Sequence, residues 1–316
     1  MPDPSADRPT LSLIVALYFE EECVAEFVRR VRAALDPSGL DYEIVFADDG
    51  SHDRTVPLVE ALAANDPRIK LLVLSRNYGK EGAVTAAIHH ARGDFLLMMD
   101  PDLQDPPERI IDFYRSIREW DCDLVWGVRK ENAADWRTRV FSRCFWLALN
   151  GLTGLAIPHD VAVMRIFNRP FAEEFKRYGE RVRFIEGIFM AVGMRQRTLP
   201  VEHHARFAGR SKFNFRRRIR LASNAVLAFS DRPLRLSIAI GLLMLGSALS
   251  YGLYAFMRQL VWGIGLTGWT SMILFVLFIG GIQVILLGIM GNYVGRIYTE
   301  TKARPSFSVL KRVNLP

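Results

Sequence analysis

The chain has 316 residues, half of them apolar, with 41 basic and 34 acidic side chains and a formal net charge of +7. The charge is unevenly spread: residues 236–295 hold one charged side chain, Arg258, while the other 256 residues carry 74, the share of an ordinary globular surface. This excludes a purely soluble enzyme, a disordered chain and a polytopic transporter, and reads as a soluble-type domain joined to a membrane segment.

The opening MPDPSADRPT is polar and lacks the apolar core of a signal peptide, so the large domain is expected to stay in the cytoplasm. Cys23, Cys122 and Cys144 lie far apart without a CxxC, which argues against a disulfide framework or structural zinc. LSLIVALY (11–18) reads as a buried strand, followed by the acidic, helix-like EEECVAEFVRRVRAAL. YEIVFADDGS (42–51) is a second strand ending in a polar turn, and TVPLVEALAAN has helical spacing. IKLLVLS (69–75), GKEGAVTAAIHHARG and DFLLMMD (94–100) continue as strand, helix and strand. Near-continuous apolar strands alternating with helices predict an α/β domain with a mostly parallel sheet covered on both faces.

Ligands of such sheets bind beyond the carboxyl ends of the strands. Polar clusters sit at those ends: Glu20–Glu22, Asp48-Asp49-Gly50-Ser51, Arg76-Asn77-Tyr78-Gly79-Lys80 and the run DPDLQDPPE (100–108). Each alone suits a helix-capping turn; four on one rim point to a ligand. In the last cluster Asp100 and Asp102 are one residue apart at a strand end and Gln104 adds an oxygen, a donor set for a hard cation completed by diphosphate oxygens. An acidic turn before a helix starting near Pro106-Pro107 is the alternative. The loops GxxxxGK[ST] and GxGxxG are absent.

Residues 236–257 are uncharged and long enough for one membrane span; the uncharged stretch 259–295 is too long for one and divides at GIGLTGW, leaving a second span near 270–292. Arg210, Lys212, Arg216, Arg217, Arg218, Arg220, Arg232 and Arg235 precede the first span; Arg296, Lys302, Arg304, Lys311 and Arg312 follow the second. That asymmetry predicts a two-span inner-membrane protein with the catalytic domain and both ends cytoplasmic. FNFRRRIRLASNAVLAF (213–229) reads as an amphipathic helix on anionic headgroups, so its arginines point to lipid and not to nucleic acid. The spacings Gly246-x-x-x-Ser250 and Gly291-x-x-x-Gly295 are a hint of helix contacts and a homo-oligomer, with a tetramer among the open states. The expected organisation is a domain over 1–210, an interface segment over 211–233, a two-helix hairpin over 234–295 and a cytosolic tail over 296–316.

Together LYFEEE, FADDGSHDRT, LSRNYGKEGAVTAAIHHARGD, MMDPDLQDPPE, VWGVR, RFAGRSKF and the paired spans after FSDRPLR resemble the polyprenyl-phosphate glycosyltransferases of glycosyltransferase family 2. The resemblance implies a GT-A nucleotide-sandwich fold, a nucleoside-diphosphate sugar donor, Mg²⁺ or Mn²⁺, and a polyprenyl phosphate acceptor. By position it places Leu17, Tyr18, Glu20, Asp48 and Asp49 around the base and ribose, and Arg76, Gly79 and Lys80 near the donor. Asp100, Asp102 and Gln104 fall at the metal; Arg129, Arg206, Ser211 and Lys212 fall in segments that close over the acceptor phosphate, with Arg139 and Ser142 as looser matches. Arg137, Arg139 and Arg143 suit an exposed surface equally well, and His203-His204, lacking a third ligand, reads as a polar loop feature. Two departures stand out. Relatives commonly read PVYNEE where this chain has Phe19, and GDFR where it has Ala162-Val163-Met164-Arg165, so an amide and an acid are missing. Altered specificity is the expected consequence, with a non-catalytic nucleotide-sugar sensor or assembly partner of the same fold as the rival. A processive synthase would carry QxxRW and more spans, and neither is present.

Overall fold

A computed structural model describes residues 8–129, 150–151, 154, 157–158, 160–180, 184–202, 230–262 and 268–315. Its centre is an eight-stranded sheet in the order β7-β5-β6-β4-β1-β2-β3-β8. In chain order the strands are β1 (Leu11–Leu17), β2 (Tyr42–Asp48), β3 (Ile69–Leu74), β4 (Phe95–Met98), β5 (Leu124–Arg129), β6 (Val161–Asn168), β7 (Gln196–Val201) and β8 (Val309–Val313). The helices beside them are α1 (Val24–Leu35), α2 (Thr55–Asn65), α3 (Lys80–His90), α4 (Ile110–Glu119), α5 (Arg169–Arg177) and α6 (Ile185–Val192).

β1 pairs in parallel with both β2 and β4, and β2 with β3, so their carboxyl ends share one rim. β6 runs antiparallel to β4 and to β5, which turns β5 back into the sense of β4 and delivers Arg129 to that same rim. The strands are buried on both faces, as the apolar runs require. Leu13, Val15, Phe27, Val31, Phe46, Phe113 and Ile166 belong to the core on the α1 and α4 side. On the other side α3 is buried from Gly82 to Ile88, and Phe167, Phe171, Phe175 and Trp126 gather around Phe189 of α6.

The segment 305–315 is more than a tail. β8 pairs antiparallel with the outer edge of β3, Leu71 opposite Val313. Lys311 reaches Glu60 at 2.8 Å, and the Asn314 amide donates to the carbonyls of Ala63 and Ile69. An exposed edge of unpaired amides is thereby closed.

The two long helices α7 (Arg232–Trp262) and α8 (Trp269–Thr301) form a compact unit of their own. Both are long and apolar enough to cross a membrane, over Leu234–Arg258 and Phe278–Thr301. Their apolar side chains, among them Leu243, Leu249, Val284 and Leu287, are exposed around the helices, a pattern that suits hydrocarbon and not water. α8 runs past the expected end at 292, because NYVGRIYTET contains no helix breaker once its charged residues begin.

Candidate functional site

The rim is assembled by carboxylates that brace its loops. Asp48 ends β2 with no exposed surface, and its Oδ2 accepts the backbone N–H of Gly50 and Ser51 at 3.1 and 2.9 Å. Burial raises its carboxyl above the usual range, partly offset by the hydrogen bonds from Ser51 and Gly50. Its Oδ1 is buried without a hydrogen-bond partner. Asp49 accepts the N–H of Tyr78 and Gly79 at 2.6 and 2.9 Å, which pins the Arg76–Lys80 loop against the end of β2. Burial raises Asp49 as well. Gly50 makes this approach possible: at φ 78° a Cβ would stand 3.1 Å from Arg76 C and Asn77 N.

Lys80, the first residue of α3, reaches Asp100 with its Nζ 2.6 Å from Oδ2. Asp102 is buried and its Oδ1 accepts the Gln104 N–H at 3.2 Å, while Leu103 between them turns at φ 60°. After this turn Pro107–Arg109 form a short 3₁₀ segment that leads into α4. Glu20, Glu22 and Asp102 all act on the Cys23 thiol, which burial first and these charges next push up to about 11, leaving it an inert thiol.

Of the residues singled out in the sequence, Tyr18, Glu20, Asp48, Asp49, Arg76, Gly79, Lys80, Asp100, Asp102, Gln104 and Arg129 belong to this one rim. Leu17 differs: its side chain is in the core, and its carbonyl accepts the Asp49 N–H at 2.9 Å, so it offers backbone only. Arg206, Ser211, Lys212, Arg137, Arg139, Ser142, Arg143, His203-His204 and the stretch 213–229 lie outside the described residues. Among the described residues no three His, Cys, Asp or Glu side chains converge on one point. Asp100, Asp102 and the Gln104 side chain do supply hard oxygens from one turn, a partial set that fits a divalent ion completed by ligand oxygens.

Known proteins resemble this chain in both of its parts. The model of glycosyl transferase family 2 matches residues 12–176, and that of the GtrB C-terminal hairpin matches 232–297. The chain belongs to glycosyl transferase family 2. A prophage bactoprenol glucosyl transferase homolog of Escherichia coli is 36% identical over 96% of this chain and 99% of its own. The uncharacterized glycosyltransferase YkcC of Bacillus subtilis is 33% identical over 95% and 93%. Among solved structures, mannosyl-3-phosphoglycerate synthase from Rubrobacter xylanophilus aligns over 72% of this chain and 74% of that one, at 20% identity and a TM-score of 0.49.

Against the family pattern, the fate of Arg165 becomes clear. It lies on β6 opposite Met98, and its side chain is 1% exposed. Nε and Nη2 donate to the carbonyls of Val163 and Ala162, and Nη2 also meets Glu186 at 3.1 Å. The guanidinium lies over the rings of Trp126 and Phe189, 4.7 and 5.4 Å from their centroids. Glu186 of α6 thus supplies a carboxylate to the Arg165 guanidinium. Glu81, at the start of α3, has its carboxyl raised, by burial first and by the charge of Glu186 as a lesser cause. Sequence reasoning missed Glu186, which lies in no strand-end cluster and meets Arg165 only through the packing of α6.

Proposed function

We propose that this family 2 member is a membrane-anchored inverting glycosyltransferase that moves a hexose from a nucleoside diphosphate, UDP first among candidates, to a polyprenyl phosphate such as undecaprenyl phosphate at the cytoplasmic membrane face. The observation that carries the reading is the near full-length match to a bactoprenol glucosyl transferase homolog, which takes in the rim and the hairpin alike.

The chemistry asks little of a general base. A phosphate monoester has a second pKa of about 6 and is largely dianionic at neutral pH, so the nucleophile arrives ready. The difficulty is to hold two anions together, the acceptor phosphate and the donor diphosphate. On the donor side Asp49 fixes the loop that presents Arg76 and Lys80, and Lys80 brings a cation to Asp100. Mg²⁺ or Mn²⁺ held by Asp100, Asp102 and Gln104 would neutralise charge on the departing nucleotide. On the acceptor side Arg129, exposed at the end of β5, receives the lipid phosphate, helped by Arg206, Ser211 and Lys212. Positioning and electrostatics supply the rate enhancement, with in-line attack at the anomeric carbon and inversion. A long polyprenyl tail stays in the bilayer, so an enzyme carried on two apolar helices meets its acceptor at headgroup depth.

The test is purified protein with undecaprenyl phosphate, Mn²⁺ and radiolabelled UDP-, GDP- and dTDP-sugars. Label moving into the lipid phase with inverted anomeric configuration is the expected result. A retained configuration refutes the displacement, and no transfer from any donor supports the nucleotide-sugar sensor instead.

A further inference from the structure

The rim carries an aromatic group whose shape this reaction scheme does not explain. Tyr18 and Phe19 are 37% and 39% exposed and pack edge to face with ring centroids 4.4 Å apart. His52, from the loop after β2, adds a third ring 6.3 Å from Phe19. Phe19 is also one of the few non-glycine residues of the described chain in the left-handed region, at φ 56°. Asn and Gly accept that conformation; a bulky aromatic there is strained. Backbone preference does not explain Phe at this position, and 39% of its surface stays in water.

Strain of this kind persists when the surroundings hold it and is concentrated at ligand sites. Here the holding contact is visible: the Phe19 N–H donates to Ser51 Oγ at 3.0 Å, and Ser51 is tied through its own N–H to Asp48. The aromatic group is thus fastened to the loop that carries two buried carboxylates, one with an unused oxygen. The rings stand at 61° to one another, and an angled aromatic surface beside hydrogen-bond acceptors suits a flat heterocycle held by face and edge, with N–H groups at its rim.

We propose that Phe19 and His52 extend Tyr18 into an angled aromatic shelf that holds the base of the nucleoside diphosphate, which makes Phe19 a determinant of donor affinity. The inference rests on the donor-site reading above. Its signature is a pair of opposite signs. Phe19→Asn relieves the backbone and removes the ring, so the full-length protein in detergent melts at the same temperature or higher while it binds nucleotide more weakly.

The experiment measures Kd for UDP, GDP and dTDP together with Tm, on wild type, Phe19→Asn and His52→Ala. For the tightest nucleotide we expect a loss of about fivefold in Phe19→Asn and about twofold in His52→Ala, the scale of single aromatic contacts. The donor KM should rise with kcat unchanged, as for binding shared by ground and transition states. Unchanged or tighter binding in Phe19→Asn overturns the shelf, and so does weaker binding with a lowered Tm, which would mark a merely structural residue. If wild type binds none of the three nucleotides, the donor-site reading itself fails and takes the shelf with it; if wild type binds and Phe19→Asn binds equally, the shelf alone fails.

Discussion

Replacing Glu186 with Ala strips a buried guanidinium of its only described carboxylate. Removing one partner of a fully buried ion pair costs about 3–5 kcal/mol, since the remaining charge is stranded. Arg165 meets that condition at 1% exposure, but Glu186 is 29% exposed, so water can enter where its carboxylate was. Arg165 also keeps two carbonyls and two aromatic faces. The loss is therefore expected at about 2 kcal/mol, below the range for a fully buried pair. Glu186→Gln retains an acceptor and should lose about half as much. Arg165→Met removes the charge and fills the slot between Trp126 and Phe189 with apolar atoms, so Arg165→Met/Glu186→Ala should be more stable than Glu186→Ala alone. Denaturant titration of the four proteins by tryptophan fluorescence completes a double-mutant cycle. A coupling energy below about 0.5 kcal/mol would refute the argument that Glu186 compensates Arg165.

Three further outcomes follow from the site. Asp102→Ala should reduce transfer at least about a hundredfold and remove saturable metal dependence; a fully active variant with unchanged metal dependence would sink the ion assignment. Gly50→Ala forces a Cβ to 3.1 Å from the backbone of Arg76 and Asn77 at φ 78°, so it should destabilise by about 1–3 kcal/mol and raise the donor KM; an unchanged KM would show that this loop does not shape the donor site. Glu81 gives a pH signature. Its folded carboxyl titrates above the reference 4.5, so the folded state holds the proton longer and stability falls as pH rises from about 4.5 through the raised value. Glu81→Gln should flatten that slope in stability measured between pH 5 and 7, and an equal slope in both proteins would refute the burial argument.

Much of the rim was legible because its cause is local. Apolar runs such as LSLIVAL and YEIVFAD are strands buried on both faces, and the polar residue that ends each must fall at the sheet edge. β6 was not legible: no strand is expected over VAVMRIFN, and nothing in it reveals that it runs against its neighbours β4 and β5. Arg165, the one residue kept from the GDFR pattern, lies inside, because its partners come from Trp126 and from α6, segments that only folding brings together. VLKRV reads as tail, since the central residues of β8 are exposed and short edge strands carry little periodic signal. The Asp48 and Asp49 pair was read as ligand-facing, and the structure adds that both carboxylates also hold the backbone of the loops around them.

The strand β8 has a consequence for how the protein is made. Asn314 bonds the carbonyl of Ile69 across 245 residues of chain, and the whole hairpin is inserted between those two points. During synthesis β3 is therefore complete long before its neighbour leaves the ribosome, and both apolar helices are translated in the interval. A chain stalled or cleaved within the hairpin presents an open sheet edge, the kind of surface that proteases and aggregation find first. Closure of that edge reports that translation has passed the hairpin, so the finished sheet acts as a receipt for the anchor.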